Sequence, residues 1–450
     1  MEQSDPGRPQ DNALKERLRR REAHIGVIGL GYVGLPLVRA FGEKGFETTG
    51  FDVDGEKVDR LNSGSSYIRH IPSDAVRTLL DSGRFRPTAD FGRLRDVDVI
   101  VICVPTPLTR HREPDISYIL NTGRTIAAEL RRGQLVVLES TTYPGTTMEG
   151  LKPVLEESGL KSGNDFYLAY SPEREDPGNS SHSAASIPKV VGGDGPAACE
   201  LACLLYDEIA AGTIPVSNTE AAEAVKLTEN IFRAVNIALV NELKMVYARM
   251  GIDVWEVIEA AKSKPFGYMP FYPGPGLGGH CIPIDPYYLA WKARQYEVPT
   301  RFIELAGEIN SAMPAHVVQV LSDAVNIRFT KSLKGARILL VGIAYKKNVD
   351  DVRESPGLRL IKLLEDKGAA VDYYDPYVPS IPKTRDYADL VGRRSVSWQQ
   401  TVAQAYDAAL ICTDHDGVDY QALVRAHPLV VDTRNATNRA RDNPDRIVMA

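Results

Sequence analysis

Three closely spaced glycines, Gly29, Gly31 and Gly34, constrain the fold of this chain more than any other feature. They follow a short apolar run at 25–28 and open a helical stretch at 33–44. The first glycine of such a loop allows a tight turn, and the second lets a phosphate approach the backbone. The third allows the helix to pack closely on the strand. The pattern therefore predicts the first unit of a doubly wound parallel sheet.

The same region predicts which ligand the sheet binds. Asp52 ends the next apolar run, 18 residues beyond Gly34, where a carboxylate can bond the ribose hydroxyls of adenosine. The helix N-terminus offers free N–H groups to a pyrophosphate, and Pro36 suits the first helical turn. We predict NAD, which such an acidic residue favours over NADP. The alternative is a tight turn in an unrelated α/β protein.

Further apolar runs alternate with helical stretches and extend the prediction along the chain. Strands are expected at 25–28, 48–51, 97–104, 135–138 and 167–169. Several of these runs are almost continuously apolar, as strands covered on both faces should be. A short helix is expected near 14–21, ahead of the first strand. The loop at 104–107 follows a strand end, where such sheets place ligand loops, although it is also compatible with a rigid structural turn.

The pattern changes in the middle of the chain and then returns. Residues 220–250 contain no glycine or proline and carry apolar residues at helical spacing. This pattern predicts a long helix that connects domains. More helix is expected at 251–330, around a loop at 265–286. A second sheet is expected beyond Lys334. Its predicted strands are 336–342, 370–374, 408–412 and 429–431, with a helix at 355–367. The fold class is therefore α/β, with two Rossmann-like parallel-sheet domains joined by a long central helix and a helical domain.

Composition excludes several classes of function. The chain has 450 residues, so two or three domains are expected. A net charge of −6 argues against nucleic acid as a partner. No apolar run approaches the roughly 18 residues that a membrane span needs, and the polar N-terminus is unlike a secretory signal. Five cysteines without a disulfide or metal-ligand spacing indicate a reducing cytoplasm and no metal site.

One cysteine stands in an unusual context. Cys281 follows a run that contains four glycines within residues 274–279, and Asp285 lies four residues further on. Such a run lets backbone approach a ligand closely, and a thiol at its end is a candidate nucleophile. Taken alone, Cys281 is more often a packing residue.

Taken together, these motifs resemble the nucleotide-sugar 6-dehydrogenases, the family of UDP-glucose and UDP-N-acetylhexosamine dehydrogenases. The resemblance covers about 23–435. The motifs that carry it, in chain order, are Gly29–Gly34, Val104–Thr106, Glu139–Thr141, Ser171–Arg174, Ala222-Glu223 with Lys226 and Asn230, Gly274–Asp285, and Ala344–Lys346 with Asp351, Arg353 and Ser355.

The resemblance implies catalytic roles for six residues. Cys281 matches the nucleophile, and Lys226 and Asn230 match the pair that holds the oxygen of the reacting carbon. Asp285 and Thr141 match residues that position a water molecule. Glu173 matches a carboxylate used in thioester hydrolysis. His280 beside Cys281 would lower the thiol pKa as a neighbouring cation, or it points away.

The resemblance also implies binding residues and a domain plan. The expected NAD contacts are Gly29, Gly31, Tyr32, Val33, Gly34, Asp52, Lys57, Pro105, Thr106 and Arg353. The expected nucleotide-sugar contacts are Glu173, Lys226, Asn230, Tyr272, Gly274, Gly276, Gly278 and Lys346. The expected domains are an N-terminal extension (1–22), an NAD-binding domain (23–215), a central helical domain that forms a homodimer and carries the cysteine loop (216–330), and a C-terminal nucleotide-sugar domain (331–450).

One departure bears on the choice of sugar. UDP-glucose dehydrogenases usually carry an arginine about 16 residues before the cysteine, whereas residues 264–273 here contain none. The segment 265–268, together with 139–145 and 171–178, is similar to the UDP-N-acetylglucosamine branch. UDP-glucose and dTDP-glucose stay open, because sugar choice depends on contacts worth about 1–3 kcal/mol each.

The expected reaction is a four-electron oxidation of a primary alcohol to a carboxylate through a Cys281 thiohemiacetal and thioester. A two-electron hydroxyacid-type dehydrogenase shares the fold but does not need Cys281. A nucleotide-sugar binding or sensing protein that has lost catalysis is the rival from another class. The presence of Cys281, Lys226, Asn230 and Asp285 argues against it.

Overall fold

The apolar runs of the N-terminal half form one eight-stranded sheet in the computed structural model. Its strands are His24–Ile28 (β1), Glu47–Phe51 (β2), Phe85–Thr88 (β3), Val99–Ile102 (β4), Leu135–Leu138 (β5), Tyr167–Tyr170 (β6), Lys189–Gly193 (β7) and Thr213–Pro215 (β8). Their order is β3-β2-β1-β4-β5-β6-β7-β8. Strands β1 to β6 are parallel, β7 is antiparallel to β6, and β8 is parallel to β7.

The structure describes residues 9–68, 71–109, 111–174, 186–279, 282–384, 386–439 and 443–450. The chain divides into two units, which are described separately. The first comprises Met1–Glu229 and Tyr287–Val298, and the second comprises Asn230–Pro286 and Pro299–Ala450.

Helices cover both faces of the first sheet. They are Pro9–Arg19 (α1), Gly34–Lys44 (α2), Gly55–Asn62 (α3), Ser73–Asp81 (α4), Ser117–Glu129 (α5), Lys152–Leu155 (α6) and Pro196–Asp207 (α7). Because side chains alternate along a strand, β1 supplies both cores. Ile25 and Val27 join the apolar cluster that contains α2 and α7 residues, whereas Ile28 joins the cluster of α5. Leu14 and Leu18 of α1 are buried in the first of these clusters.

Four helices follow: Thr219–Met250 (α8), Val254–Lys262 (α9), Asp285–Arg294 (α10) and Arg301–Phe329 (α11). The predicted long helix is therefore present, and so is the helical character of 251–330 around a loop. Helix α9 begins at an Asp253 cap, whose side chain accepts a hydrogen bond from the Trp255 N–H.

The C-terminal part forms the second parallel sheet. Its strands are Arg337–Val341 (β9), Ala370–Tyr374 (β10), Ala408–Ile411 (β11), Val430–Asp432 (β12) and Ile447–Met449 (β13). Their order is β10-β9-β11-β12-β13, and every pair is parallel. Helices Pro356–Asp366 (α12), Trp398–Ala403 (α13) and Tyr420–Ala426 (α14) accompany it. The α/β class with two parallel sheets is thus confirmed.

Every predicted strand is present, and the differences concern ends and edges. The run 97–104 contributes only Val99–Ile102, because the chain leaves the sheet at Cys103 to enter a loop. Strands β3, β7, β8 and β13 did not stand out in the sequence. β3 contains Pro87 and β8 ends on Pro215, and both are edge strands that form by pairing with a neighbour.

Candidate functional site

The glycine loop of the first unit leaves one face open. Gly29 has φ 92°, and a Cβ there would lie 2.6 Å from the carbonyl oxygen of Cys103. A Cβ on Gly34 would collide with the carbonyl oxygen of Gly29. At Gly31, a Cβ would meet no atom of the described residues within 4 Å. This opening beside the N-terminus of α2 suits the pyrophosphate of a dinucleotide.

Asp52 holds the loop in place from the end of β2. Its side chain is buried and accepts hydrogen bonds from the N–H groups of Leu30 and Asp54, both at 2.9 Å. Lys57 lies 3.4 Å from the same carboxylate. A carboxylate has about four acceptor positions, so Asp52 keeps capacity for ribose hydroxyls. Tyr67, which the sequence did not single out, donates to the carbonyl of Leu30 at 2.5 Å.

The loops after β4 and β5 complete the carboxyl edge of the first sheet. Pro105 is exposed, and Thr106 is buried with its carbonyl accepting a hydrogen bond from the Tyr288 hydroxyl. Ser140 donates to the carbonyl of residue 104 at 2.7 Å, so the two loops are tied together. Thr141 follows directly and is half-buried. Tyr32 and Val33, in the glycine loop, are half-buried as well.

A buried ionic cluster lies at the same edge. Lys189, the first residue of β7, donates to both carboxylate oxygens of Glu139 at 2.9 and 2.8 Å and to Glu173 at 3.3 Å. Burial disfavours the charged form of Lys189, but the two carboxylates outweigh burial and raise its pKa. Burial also raises the pKa of the Cys103 thiol well above its ordinary value, which makes Cys103 a poor nucleophile. Lys189 was missed because β7 was not recognised.

Lys226 and Asn230 lie four residues apart in α8, on one face of that helix. Lys226 is buried and donates to the backbone carbonyl of Glu173, in the first unit. In the second unit, Asn230 donates to the carboxylate of Asp285 at 2.5 Å and accepts from Arg233. Asp285 is buried at the start of α10. The structure thus brings Asn230 and Asp285 into contact, a pairing that the sequence did not predict, since Asn230 was expected to act with Lys226 and Asp285 with Thr141.

The glycine run of the second unit packs against its own unit. A Cβ on Gly276 would lie 3.3 Å from Pro314, and one on Gly278 would lie 2.7 Å from Tyr345. A Cβ on Gly274 would collide with the Arg434 guanidinium. Close chain packing accounts for these glycines without a ligand. Their role in substrate binding stays a prediction.

A buried amide anchors the start of this run. Asn241 accepts a hydrogen bond from the Gly274 N–H at 2.9 Å and donates to Asn310 at 3.0 Å. Asn310 in turn donates to the carbonyl of Ala234 at 3.0 Å. The sequence does not indicate this series of hydrogen bonds, because an asparagine in a helix is ordinarily exposed. Cys281 and His280 lie outside the described residues.

The remaining predicted contacts are spread over the second unit. Arg353 pairs with Asp351 through Nε at 2.9 and 3.0 Å, and its carbonyl accepts from the Gly279 N–H at 3.0 Å. Lys346 is half-buried in the loop after β9. Tyr272 donates to Glu259 at 2.5 Å and stacks on Trp255, so it lies against α9.

Comparison with known proteins identifies the family of this chain. The chain matches three domain models of the UDP-glucose/GDP-mannose dehydrogenase family: the NAD binding domain at 23–210, the central domain at 220–312 and the UDP binding domain at 339–439.

Individual relatives differ in the sugar that they are named for. The UDP-N-acetyl-D-glucosamine 6-dehydrogenase of Pseudomonas aeruginosa is 38% identical over 82% of this chain and 86% of its own. The UDP-D-ManNAc dehydrogenase structure from Pyrococcus horikoshii has TM-score 0.82 and 34% identity over 92% of this chain and 96% of its own. A UDP-glucose dehydrogenase structure from Pyrobaculum islandicum has TM-score 0.81 and 29% identity over 93% and 96%.

This chain belongs to the UDP-glucose/GDP-mannose dehydrogenase family. It is an NAD-dependent oxidoreductase that acts on the alcohol group of a nucleotide sugar, and the open face at Gly31 fits the cofactor. Among the described residues, no helix is both long and apolar enough to cross a membrane.

Proposed function

We propose that the protein oxidises the C6 hydroxyl of UDP-N-acetylglucosamine to a carboxylate, in two hydride transfers per sugar. The observation that carries the choice of sugar is the absence of arginine from 264–273, together with the Pro-Phe-Gly-Tyr segment at 265–268. The 38% identity to an enzyme named for this substrate supports the choice. NAD supplies the hydride acceptor for both transfers.

The first transfer requires removal of the hydroxyl proton. A water molecule ordered by Asp285 and Thr141, with help from Lys226, acts as the base. Asp285 is held by the amide of Asn230 at 2.5 Å, which supports a fixed role for this carboxylate. The Lys226 ammonium and the Asn230 amide stabilise the charge that develops on the substrate oxygen.

The second half of the reaction is covalent. The Cys281 thiolate adds to the aldehyde carbon and forms a thiohemiacetal, so the aldehyde does not leave. Loss of a second hydride converts the thiohemiacetal to a thioester. A water molecule, activated by Glu173 or Asp285, attacks the thioester carbon, and the carbon–sulfur bond breaks. The carboxylate product and the free thiol result.

The test is the number of NADH molecules released per sugar, measured with UDP-N-acetylglucosamine, UDP-N-acetylgalactosamine, UDP-glucose and dTDP-glucose. Two NADH on UDP-N-acetylglucosamine, with lower kcat/KM on the others, is the expected result. One NADH per sugar would overturn the thioester route and favour a two-electron dehydrogenase. Two NADH per molecule of another sugar would support the thioester route and would contradict UDP-N-acetylglucosamine as the substrate.

The cysteine itself is tested by Cys281→Ser, which should stop turnover before the thioester. Cys199→Ser is the matched control, because Cys199 is a half-buried free thiol on α7. Full turnover in Cys281→Ser would contradict the covalent mechanism. Equal loss in both variants would point to misfolding.

The proposal includes the oligomeric state, the cellular location and the domain limits of the protein. We propose a cytoplasmic homodimer, domain limits at 23–215, 216–330 and 331–450, and an interface in the central domain. Large apolar side chains are exposed on α8 and α11, which supports this interface. They are Phe232, Leu239, Val246, Met250, Phe302 and Leu305. Light scattering of the protein and of Leu239→Glu tests the dimer, and a wild-type monomer would contradict it.

A further inference from the structure

Lys189 uses all of its hydrogen-bonding capacity on two carboxylates. An ammonium group has three N–H donors. Its three contacts in the first unit are the two oxygens of Glu139, at 2.9 and 2.8 Å, and one oxygen of Glu173, at 3.3 Å. The side chain of Lys189 is 7% exposed and that of Glu139 is fully buried. The lysine therefore has one fixed orientation.

The surroundings explain why the amine stays charged. Its Nζ lies 4.8 Å from the ring centre of Tyr206, on the face that attracts cations. Besides Glu139 and Glu173, the ionisable groups that act on it include the Cys103 thiol, and burial keeps that thiol protonated. Glu139 neutralises the ammonium inside the protein. The third N–H remains directed at Glu173, whose side chain is 18% exposed.

The backbone of Glu173 is held as well. Its carbonyl accepts a hydrogen bond from the ammonium of Lys226. The next residue, Arg174, donates to the carbonyl of Pro188 and pairs with Glu229 at 2.5 Å. Glu173 is thus fixed through its side chain, its carbonyl and its neighbour.

We propose that Lys189 is a positioning residue for thioester hydrolysis, which holds the Glu173 carboxylate ionised and oriented as the general base. The proposal rests on the proposed function above. The water oxygen bonds to the thioester carbon, the carbon–sulfur bond breaks, and Glu173 takes the water proton. The Cys281 thiolate leaves, and the proton on Glu173 returns to the thiolate or to solvent. Lys189 touches neither substrate nor thioester and acts only through Glu173.

The experiment replaces both members of the buried ion pair, Glu139 and Lys189. Lys189→Met alone would leave Glu139 as an unpaired buried charge, which can prevent folding. The double variant Glu139→Gln/Lys189→Met removes both charges and keeps the side-chain sizes similar. It should bind NAD with an unchanged KM and release the first NADH at the wild-type rate. Its kcat should fall at least about tenfold, since a positioned general base contributes roughly 10²–10⁴-fold.

The readouts separate positioning from a structural role. Intact mass spectrometry should find the thioester on the double variant, and the acid limb of the kcat–pH profile should move to higher pH. Adding Glu173→Gln should lower kcat by a smaller factor than it does in the wild-type background, because both changes act through one group. Lys292→Met is the matched control, since Lys292 is a buried lysine of the same unit that pairs with Glu149 at 2.6 Å. It should accumulate no thioester.

A folded double variant with the wild-type kcat, pH profile and no thioester would overturn the proposal. So would a further loss on adding Glu173→Gln of the same size as in the wild-type background. Failure of the proposed function would look different, because the wild-type protein itself would then release fewer than two NADH per sugar.

Discussion

Gly29 and Gly342 occupy the same place in the two sheets. Each follows the first strand of its sheet in chain order, β1 or β9, and the φ angles are 92° and 79°. Each N–H donates to the last residue of the neighbouring strand, Gly29 to Phe51 at 2.7 Å and Gly342 to Tyr374 at 2.8 Å. A Cβ on Gly29 would collide with the carbonyl oxygen of Cys103, and a Cβ on Gly342 would collide with that of Thr413. These carbonyls follow β4 and β11, which neighbour β1 and β9 in their sheets. The backbone turn is therefore the same in both units.

The aspartates that follow the second strand are also equivalent, but they are used differently. Asp52 accepts from Leu30 and Asp54. Asp375 accepts from four backbone N–H groups and lies 3.1 Å from the His415 ring. Burial opposes ionisation of Asp375, yet the histidine and the N–H groups outweigh it and hold its pKa below the ordinary value.

The two loops differ in the residues that follow the turn. The first loop continues with Gly31 and Gly34, and it leaves open space at Gly31. The second continues with Ile343 and Ala344, both fully buried. One turn thus leaves an opening in one unit, where we expect a pyrophosphate to bind, and is a closed packing element in the other. The shared turn alone does not make a dinucleotide site.

Two buried lysines show the same contrast between the units. Lys189 has three acceptors and a raised pKa. Lys244 is buried in the second unit, and its amine has no hydrogen-bond partner among the described residues. Burial and, to a smaller extent, Arg434 lower the pKa of Lys244 to about 7. Burial alone does not set the charge of a lysine, because the partners decide whether the charged form is compensated.

The largest expected effect is that of Asp375→Ala. It should lower the free energy of unfolding by about 3 kcal/mol or more, because four N–H groups, three of them buried, lose their acceptor. Denaturation with guanidinium, followed by circular dichroism, measures the change. Asp52→Ala is the matched control and should cost about 1 kcal/mol. Equal losses would contradict the view that only the second aspartate is a closed structural centre.

Lys244→Met should stabilise the protein, and the gain should depend on pH. An unfolded lysine has a pKa of about 10.4, whereas Lys244 in the folded state has a pKa of about 7. Between these values the unfolded chain binds a proton that the folded chain does not. Wild-type stability therefore rises with pH in this range.

The difference between wild type and Lys244→Met should accordingly shrink from pH 7 to pH 10, by up to a few kcal/mol. Urea denaturation of both proteins at several pH values measures it. Lys262→Met, at an exposed lysine, should show no such trend. A difference that is constant with pH would mean that Lys244 stays protonated through a partner.

Gly31→Ala should impair cofactor binding without unfolding the protein. The added methyl group would enter the open space at Gly31, where the pyrophosphate approaches the backbone. We expect the KM for NAD to rise about ten- to a hundredfold, which corresponds to roughly 1.4–2.8 kcal/mol. The melting temperature should stay unchanged. An unchanged KM for NAD would show that the opening is not the phosphate site.

Asp52→Ala has the smallest expected effect on activity. It should raise the KM for NAD about tenfold through loss of hydrogen bonds to the ribose, and leave the KM for the sugar unchanged. Steady-state kinetics with each substrate varied in turn measures both constants. A rise in the sugar KM alone would mean that Asp52 is misassigned.

The sequence was sufficient for much of the fold, whereas the roles of the site residues stay predictions. Most strands of the two sheets, the long helix and the glycine loop follow from apolar periodicity and from glycines at fixed spacing, which are local signals. Asn230 and Asp285 were named through the family resemblance in two different roles, and their contact is seen only in the structure. Edge strands such as β3 and β8 were missed, because their formation depends on a neighbouring strand and not on their own pattern.

Only the tertiary structure decided how individual charges and glycines are used. Lys189 and Lys244 look alike in the sequence, yet the amine of Lys189 donates to two carboxylates and that of Lys244 has no hydrogen-bond partner among the described residues. The sequence predicts Gly276 and Gly278 as positions where a ligand approaches the backbone, whereas in the structure they pack against Pro314 and Tyr345. Local sequence determines which element a residue enters. Its partners come from other segments of the chain, 50 residues away for Lys189 and Glu139 and 16 for Lys189 and Glu173, and are set only when the chain folds.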